Sequence, residues 1–314
     1  MHRPLALLVA LAAQPSPDAV RGAAAPAAPP GLVRALEGFP AGARRAVAAT
    51  APLVGRPYVL NPLGEGGGFD PDPRFRLDAF DCWTFVETAV ALGSAASLDE
   101  ARLALDDVRY SGAVDYGHRN HEVLSQWVPA NGGKGWIADA AAEIAGPRAQ
   151  DAAVEYSAAR WDAVARAGHA IPGLARDRLP EGRFAVGMVA PADLGAVERR
   201  IPEGAIALVV REDLPDRSTR VSHAGLVVVR PDGSRWVRHA SSAAGVMRVV
   251  EEPLARFLRA QQRAMRWRVS GLAFLSVLDN RARVAALAAA AQAAGRPPGP
   301  QPSGPAALPP PPRM

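Results

Sequence analysis

The sequence predicts an α+β fold in which helices and strands share one domain at residues 41–280. Two observations lead to this prediction. Apolar residues recur at helical spacing after Asp81, and short apolar runs separated by turn signals begin near residue 205. The helical signals precede most of the strand signals and do not alternate with them, which is typical of α+β domains. No internal repeat is present.

The clearest helix signal starts at Cys82, where Phe85, Ala89 and Leu92 define one buried face. Asp81 is a good N-cap and Gly93 a plausible stop, so we predict a helix over residues 82–93. A second helix is predicted from Leu98 to Val108, capped by Ser97 with Glu100 three residues on. The Ala- and Arg-rich stretch Leu32–Ala51 is also compatible with helix.

The second half of the chain contains the strand signals. Apolar runs predict strands at Ala205–Val210, Val221–Val229, Arg235–Ala240 and Arg266–Val277, with a helical piece near Pro253–Gln261. The turn Pro231–Ser234 connects the second strand to the third as a hairpin. Residues 140–200 carry mixed signals and no element is assigned there, while extra helical insertions are expected in the domain as a whole.

The two ends of the chain differ in composition from the domain. Residues 1–13 join a basic start to an apolar run that is too short to span a bilayer. We therefore predict a signal peptide at 1–13, export to the periplasm or the extracellular space, and no transmembrane segment. An Ala-rich helix of a cytosolic protein is the alternative. Residues 14–40 are predicted as a Pro/Ala-rich linker, and residues 281–314 as an Ala/Pro-rich disordered tail that starts with a short helix.

The net charge of +5 rests on arginine, because Lys134 is the only lysine. The arginines are scattered, and no basic stripe is interleaved with aromatic residues. Such a stripe is typical of proteins that bind nucleic acids. We therefore expect no nucleic-acid partner.

Cys82 is the only cysteine, and the predicted helix begins with it. A thiol there is near unpaired backbone N–H groups and the positive end of the helix dipole, which favour the thiolate, the nucleophilic form. If the chain is exported, this thiol enters an oxidising compartment without an internal disulfide partner. The pattern favours a catalytic nucleophile over a small buried core residue.

Two histidines fall on neighbouring predicted strands, His223 on the second and His239 on the third. The tight turn between these strands brings the two side chains near cross-strand register on one face. A cysteine nucleophile needs a base and a group that orients the base, and Cys82, His223 and His239 supply these three parts. A zinc site is the alternative, but a third ligand would have to be recruited from His118 or His121, so no metal and no other cofactor is predicted.

Several motifs together resemble one family. They are Gly55-x-Pro57-Tyr58, Phe80-Asp81-Cys82-x-Thr84-Phe85-Val86-Glu87-Thr88, Arg119 with Trp127 and Asn131, Val221-Ser222-His223-Ala224-Gly225, and Arg238-His239-Ala240-Ser241. In this order the chain resembles the NlpC/p60 superfamily of cell-wall hydrolases over roughly residues 45–277. Within it the chain is most similar to the N-acetylmuramoyl-L-alanine amidase-like branch, formerly catalogued as a domain of unknown function.

The resemblance implies a papain-like fold, with the nucleophile helix packed on an antiparallel sheet. It implies Cys82 as nucleophile, His223 as base and His239 as the orienting residue, with Tyr58 near the nucleophile. Asp81 either caps the helix or also contacts substrate. The extended Tyr110–Asp139 segment would shape the cleft, where Arg119 could bind a carboxylate and Trp127 could stack on a sugar or lie in the core.

For the substrate, the resemblance implies peptidoglycan or its muropeptide fragments. The branch points to the amide bond between N-acetylmuramic acid and L-alanine, cleaved through a thioester. A D-glutamyl-diamino acid endopeptidase of the same superfamily is an alternative. A non-catalytic wall-binding module and an acyltransferase on the same fold also stay open, and the sequence does not decide between them.

Overall fold

The protein is described by a computed structural model that covers residue 29 and residues 31–295. In chain order, the helices of four or more residues within this part are α1 (Leu32–Gly38), α2 (Ala43–Thr50), α3 (Cys82–Ser94), α4 (Leu98–Arg109), a π-helical turn (Val123–Trp127), α5 (Val128–Gly133), α6 (Ala141–Ala145), α7 (Ala158–Arg166), α8 (Leu194–Val197), α9 (Leu254–Ala264) and α10 (Arg281–Ala293). Short 3-10 turns lie in several of the connections between them.

The strands form one antiparallel sheet. They are β1 (Ile137–Asp139), β2 (Ala149–Tyr156), β3 (Gly182–Val189), β4 (Ile206–Arg211), β5 (Val221–Val229), β6 (Arg235–Ser241), β7 (Arg248–Pro253) and β8 (Val269–Val277). The order across the sheet is β2-β3-β8-β4-β5-β6-β7, and β1 pairs with β8. Each of these neighbouring pairs is antiparallel. The predicted mixed fold with an antiparallel sheet is therefore confirmed.

The sheet separates two apolar clusters because side chains alternate between its faces along each strand. Leu208 and Leu226 face the larger cluster, which contains the buried side of α3. Val209 and Val227 face the smaller cluster, which contains Phe257 of α9. The central strand β4 is buried along its whole length, as expected for a strand covered on both faces. The sheet thus holds α3 and α9 at fixed positions on either side of β5 and β6.

Most predicted elements agree with the structure to within a few residues, and the structure also defines the 140–200 segment, to which the sequence assigns no element. It contributes strands β2 and β3, which pair along their whole length from Ala149 with Val189 to Tyr156 with Gly182. Ala152, Val154 and Tyr156 of β2 are buried, at the two-residue spacing of a strand. Ala and Glu have low strand propensity, so the local sequence did not reveal a pattern that the neighbouring strand stabilises.

Two predicted boundaries need correction. Helix α1 lies inside the stretch predicted as linker, and its Leu32 and Leu36 are buried in the main core. Helix α10 is the short helix predicted at the start of the tail, but its Val284 is buried in that core, so it belongs to the folded domain. The apolar side chains of both helices pack on the domain, which accounts for their order. The predicted signal peptide, the linker residues before 29 and the tail after 295 lie outside the described residues.

Among the described residues, no helix combines the length and the apolar character needed to cross a membrane.

Candidate active site

A capping box fixes the start of α3. Oδ1 of Asp81 accepts hydrogen bonds from the backbone N–H groups of Trp83 (3.0 Å) and Thr84 (2.7 Å), while the Thr84 hydroxyl accepts one from the Asp81 N–H (3.0 Å). The other carboxylate oxygen accepts the Asn61 N–H at 3.0 Å. The predicted N-cap is therefore present. Since Cys82 is the first helical residue, this box fixes the backbone that carries the thiol.

The sulfur of Cys82 lies among backbone donors. The N–H groups of Cys82, Trp83 and Ala224 hydrogen-bond to it and lower its pKa. Burial and the Asp81 carboxylate act more strongly in the other direction and raise the pKa of Cys82 to about 12. The residue is still partly accessible to solvent. The expectation of a thiolate stabilised by the helix start is therefore not met in the resting site, where the thiol is neutral.

The two histidines lie against each other. The β5–β6 register pairs Leu226 with Arg238, and its continuation places His239 opposite Gly225, two residues from His223. Nε2 of His223 lies 2.7 Å from Nδ1 of His239, and the two rings meet edge to face with centroids 4.9 Å apart. Both residues are buried, at 8% and 2% exposure. The structure thus brings together the pair that the hairpin predicts.

Gly225 makes this approach possible. A Cβ on Gly225 would lie 2.9 Å from the Cβ of His239, 2.9 Å from the Arg238 carbonyl oxygen and 2.5 Å from a Val237 methyl group. Contacts this short between carbons are strongly repulsive. A residue other than glycine would therefore displace the strand that carries His239.

The structure adds a fourth member to the cluster, Glu252, which the sequence reasoning missed. Its Oε1 lies 3.0 Å from Nε2 of His239. Glu252 belongs to β7, where it pairs with Val237 of β6, and β7 has no strong strand signal in the sequence. The run Glu251-Glu252-Pro253 gives no local reason to connect it with a histidine thirteen residues earlier.

Burial also controls the protonation of His223. The pKa of His223 lies well below its ordinary value of 6.5, because burial disfavours the imidazolium and the neighbouring His239 and Arg211 add to this effect. His223 is therefore neutral at pH 7. Together with the neutral thiol of Cys82, this gives an uncharged resting pair and not a thiolate–imidazolium pair.

Tyr58 lies near enough to Cys82 and Asp81 for both to influence its ionisation. It pairs in a short parallel bridge with Phe80, and its hydroxyl bonds to Ser242. Burial, followed by the charges of Cys82 and Asp81, raises the pKa of Tyr58 to about 12. The phenol is therefore protonated at neutral pH and can donate a hydrogen bond.

Arg119 is already paired. Its Nε and Nη2 lie 2.8 and 2.6 Å from Oε1 of Glu65, and Nη2 also lies 2.8 Å from Oδ2 of Asp70. Glu65 in turn accepts the Tyr110 hydroxyl at 2.9 Å. In this arrangement Arg119 anchors the loop that carries Glu65 and Asp70. A direct contact with a substrate carboxylate would require it to leave these acids.

Trp127 is buried, and its role at a surface cleft needs correction. The residue is 0% exposed and packs edge to face on Trp83 with ring centroids 4.8 Å apart. Within the described part of the chain its indole Nε1 has no hydrogen-bond partner. A fully covered ring cannot stack on a sugar. Of the two tryptophans, Trp83 is the one that reaches the protein surface, since it follows Cys82 and is partly exposed.

The histidines considered for a metal site lie apart from the cluster. Nδ1 of His118 contacts both carboxylate oxygens of Asp115 at 2.8 Å, and Nε2 of His121 contacts the Tyr116 carbonyl oxygen at 2.7 Å. Within residues 31–295 no three or more His, Cys, Asp or Glu side chains are grouped so that they could hold a metal ion.

The fold and the site together define a class: a mixed α/β protein with an antiparallel sheet, a cysteine at the start of a buried helix and a histidine pair on adjacent strands. The family model described as AmiA-like, N-acetylmuramoyl-L-alanine amidase-like, matches residues 48–265. This match covers more than half of the chain and includes Cys82, His223 and His239. The chain belongs to this family.

Solved structures share the fold. Protein LPG0564 from Legionella pneumophila is 23% identical with a TM-score of 0.65, over 79% of this chain and 92% of that chain. An N-acetylmuramoyl-L-alanine amidase from Bacteroides uniformis is 18% identical with a TM-score of 0.54, over 79% and 97%. A candidate xylanase from Bacteroides fragilis is 21% identical with a TM-score of 0.51, over 71% and 96%.

These structural similarities show the fold alone, and two different activities are named among them, so the fold does not select the reaction. A search of curated proteins finds no match to this chain.

Proposed function

We propose that this protein is a cell-wall cysteine amidase that cleaves an amide bond in peptidoglycan or its muropeptide fragments. The observation that carries the proposal is the contact of the Cys82 sulfur with the N–H of Ala224, the residue that follows His223. It brings the thiol of α3 to the strand that carries the base. Membership of the amidase-like family supports the substrate class.

Acylation begins from the neutral pair. The Cys82 sulfur attacks the amide carbonyl carbon while its proton passes to His223, since neither group is charged beforehand. The C=O π electrons move onto oxygen, and the N–H of Cys82 at the helix start is oriented to stabilise that oxyanion. His223 then donates its new proton to the leaving nitrogen, the C–N bond breaks, and a thioester remains.

Deacylation repeats these steps with water. Neutral His223 takes a proton from a water molecule as the water attacks the thioester carbonyl carbon. The C–S bond breaks, the thiolate recovers the proton from His223, and the carboxylic acid leaves. His239 orients the His223 ring throughout. The protonated Tyr58 hydroxyl beside the thiol is a further donor toward the reacting carbonyl.

The bond that we propose joins the lactyl group of N-acetylmuramic acid to L-alanine, in keeping with the family to which the chain belongs. A papain-like arrangement of the NlpC/p60 type fits the order of nucleophile helix, base strand and orienting strand. Such a substrate implies action in the periplasm or outside the cell. The family description and the order of the elements support these finer assignments.

Defined muropeptides test the proposal. Purified protein is incubated with a disaccharide carrying an L-Ala-D-Glu-diamino acid stem, and the products are identified by mass. We expect an intact sugar and a free stem peptide beginning with L-alanine. Release of an L-Ala-D-Glu fragment still attached to the sugar would instead identify the endopeptidase, and transfer of an acyl chain to a second acceptor would identify an acyltransferase.

Variants distinguish catalysis from binding. Cys82→Ala and His223→Ala are expected to lose at least about a thousandfold in kcat/KM. His169→Ala is the matched control, because its Nδ1 contacts the Asp216 carbonyl oxygen away from the cluster, and it should keep wild-type turnover. Tight muropeptide binding without turnover by the wild type would identify a wall-binding module and contradict the proposal.

A further inference from the structure

The cluster forms an unbroken line of hydrogen bonds that ends on a carboxylate. Oε1 of Glu252 lies 3.0 Å from Nε2 of His239, and Nδ1 of His239 lies 2.7 Å from Nε2 of His223. Three of the four ring nitrogens are used in these two contacts. The fourth, Nδ1 of His223, takes part in neither contact and is the nitrogen that the proposed reaction would use.

The chemistry of the carboxylate sets the direction of every bond in the line. An ionised carboxylate can only accept, so Nε2 of His239 carries a hydrogen and donates it to Glu252. In neutral His239 the other nitrogen, Nδ1, is then an acceptor. Nε2 of His223 must therefore be the donor to it. Neutral His223 is left with a lone pair on Nδ1, which is the form that a base requires.

The opposite direction would block the reaction. If His239 donated from Nδ1, Nε2 of His223 would accept, and the hydrogen of neutral His223 would lie on Nδ1. That nitrogen could then take no proton from Cys82. For neutral His239, a carboxylate at the end of the line excludes this state, because its oxygen would face the lone pair of His239 Nε2. An imidazolium His239 would donate from both nitrogens, so finding one at neutral pH would overturn the assignment.

The surroundings hold the line in place. The Glu252 side chain is 16% exposed, and its second oxygen lies 3.4 Å from Nε of the exposed Arg256. Phe257 packs on both imidazoles, with ring centroids 5.7 Å from His223 and 5.0 Å from His239. Glu252 is the last residue but one of β7 and Phe257 lies in the first turn of α9, so one junction supplies both the acceptor and the packing surface.

We propose that Glu252 is a positioning residue that fixes the tautomers of His239 and His223, so that Nδ1 of His223 is the base of this site. The inference rests on the proposed function for its catalytic meaning. The tautomers themselves are a property of the resting protein and can be measured without substrate.

Nitrogen-15 NMR of the imidazoles tests the proposal. The full chain has six histidines, and the two signals are assigned from spectra of His223→Ala and His239→Ala. In the wild type at neutral pH we expect both residues as the Nε2–H tautomer. An Nδ1–H tautomer on either histidine would overturn the proposal.

Substitutions at Glu252 provide the second measurement. An amide can donate as well as accept, so Glu252→Gln permits the reversed line, and we expect Nδ1–H signals for both histidines and a fall in kcat/KM of about 10- to 1,000-fold. Glu252→Asp keeps an acceptor-only group and should retain the Nε2–H tautomers. Arg259→Ala, at an exposed position of α9, is the control and should change turnover by less than about twofold.

The outcomes separate the two proposals. If Glu252→Gln folds, keeps both Nε2–H tautomers and still loses activity, Glu252 does not act through the tautomers and the inference is wrong. If the wild type shows the expected tautomers and Glu252→Gln reverses them, but no muropeptide is cleaved by the wild type, the tautomer assignment stands and the proposed function fails.

Discussion

At the scale of single residues, desolvation outweighs the helix dipole in this site. A helix start stabilises a nearby negative charge by about 0.3–1 kcal/mol, which is less than one pKa unit. Burial of an ionisable group shifts its pKa by up to about 3–5 units. The pKa of Cys82 accordingly rises to about 12 although three N–H groups contact the sulfur. The reaction that we propose would therefore depend on His223 being neutral and correctly oriented, and not on a preformed thiolate.

Gly225 is the residue on which that orientation most directly depends. Gly225→Ala should push His239 away, because the new Cβ would meet the Cβ of His239 and the Arg238 carbonyl oxygen at 2.9 Å. We expect the free energy of unfolding to fall by about 1–3 kcal/mol. We also expect kcat to fall by a larger factor than the factor by which KM changes. Denaturant unfolding and muropeptide kinetics measure the two effects.

The matched control is Gly132→Ala in α5, where an added Cβ meets nothing within 4 Å. It should leave both activity and stability near the wild-type values. If Gly225→Ala keeps the activity and stability of Gly132→Ala, the added Cβ does not disturb the histidine pair and the prediction is wrong.

At the scale of elements, the start of α3 has two roles that oppose each other. The Asp81 carboxylate satisfies the first N–H groups of the helix, and a cap of this kind contributes about 0.5–2 kcal/mol. The same negative charge raises the pKa values of Cys82 and Tyr58. The element is therefore stabilised by a group that disfavours the thiolate.

Asp81→Asn separates these roles, because asparagine caps a helix about as well as aspartate but carries no charge. We expect the pKa of Cys82 to fall, so that alkylation by iodoacetamide begins at lower pH and is about 3- to 10-fold faster at pH 8. The measurement is the alkylation rate as a function of pH. Thermal unfolding should change little.

Asp99→Asn, at a partly exposed acid in the first turn of α4, is the control and should leave the alkylation profile unchanged. An unchanged profile in Asp81→Asn as well would mean that the carboxylate does not influence the sulfur.

At the scale of the whole molecule, Asp107 of α4 links distant parts of the chain. It accepts hydrogen bonds from the indole N–H of Trp136 at 2.7 Å and from Nε and Nη2 of Arg283 at 2.6 and 2.8 Å. Burial alone would raise its pKa, but the bonds from Arg283 and Trp136 and the charge of Lys134 together lower it below 3.8. This stabilising contribution is present at neutral pH and is lost as the pH falls through that lowered pKa.

A chain that ends at residue 280 should therefore be less stable. It loses the Arg283 bonds to Asp107 and the buried Val284, and burial of one such side chain contributes about 1.5–3 kcal/mol. We expect the free energy of unfolding at pH 7 to fall by about 2–4 kcal/mol, measured by denaturant titration. A chain ending at residue 295 keeps all of α10 and should unfold like the full chain, and identical midpoints for the two truncations would contradict the packing role of α10.

The local sequence was sufficient to predict those helices and strands whose structure follows from the spacing of their own apolar residues. The helix at Cys82 has a cap, a buried stripe and a stop in the sequence, and the strand Val221–Val229 has the same bounds as predicted. Residues 140–200 were not predictable in this way. Strand β2 consists mainly of weak strand formers, and the neighbouring strand β8, far away in the sequence, holds β3 in the sheet.

The sequence by itself determined the nucleophile candidate and the histidine pair, because a unique cysteine at a helix start and two histidines on a hairpin are near-local features. Only the tertiary structure decided that Glu252 completes the line, that Trp127 is covered and that Arg119 is already paired. Each of these depends on contacts between segments far apart in the chain, and on burial, which no local pattern encodes. The same reason explains why the thiol is neutral: the dipole of a helix can be read from its sequence, whereas the desolvation that overcomes it exists only once the chain has folded.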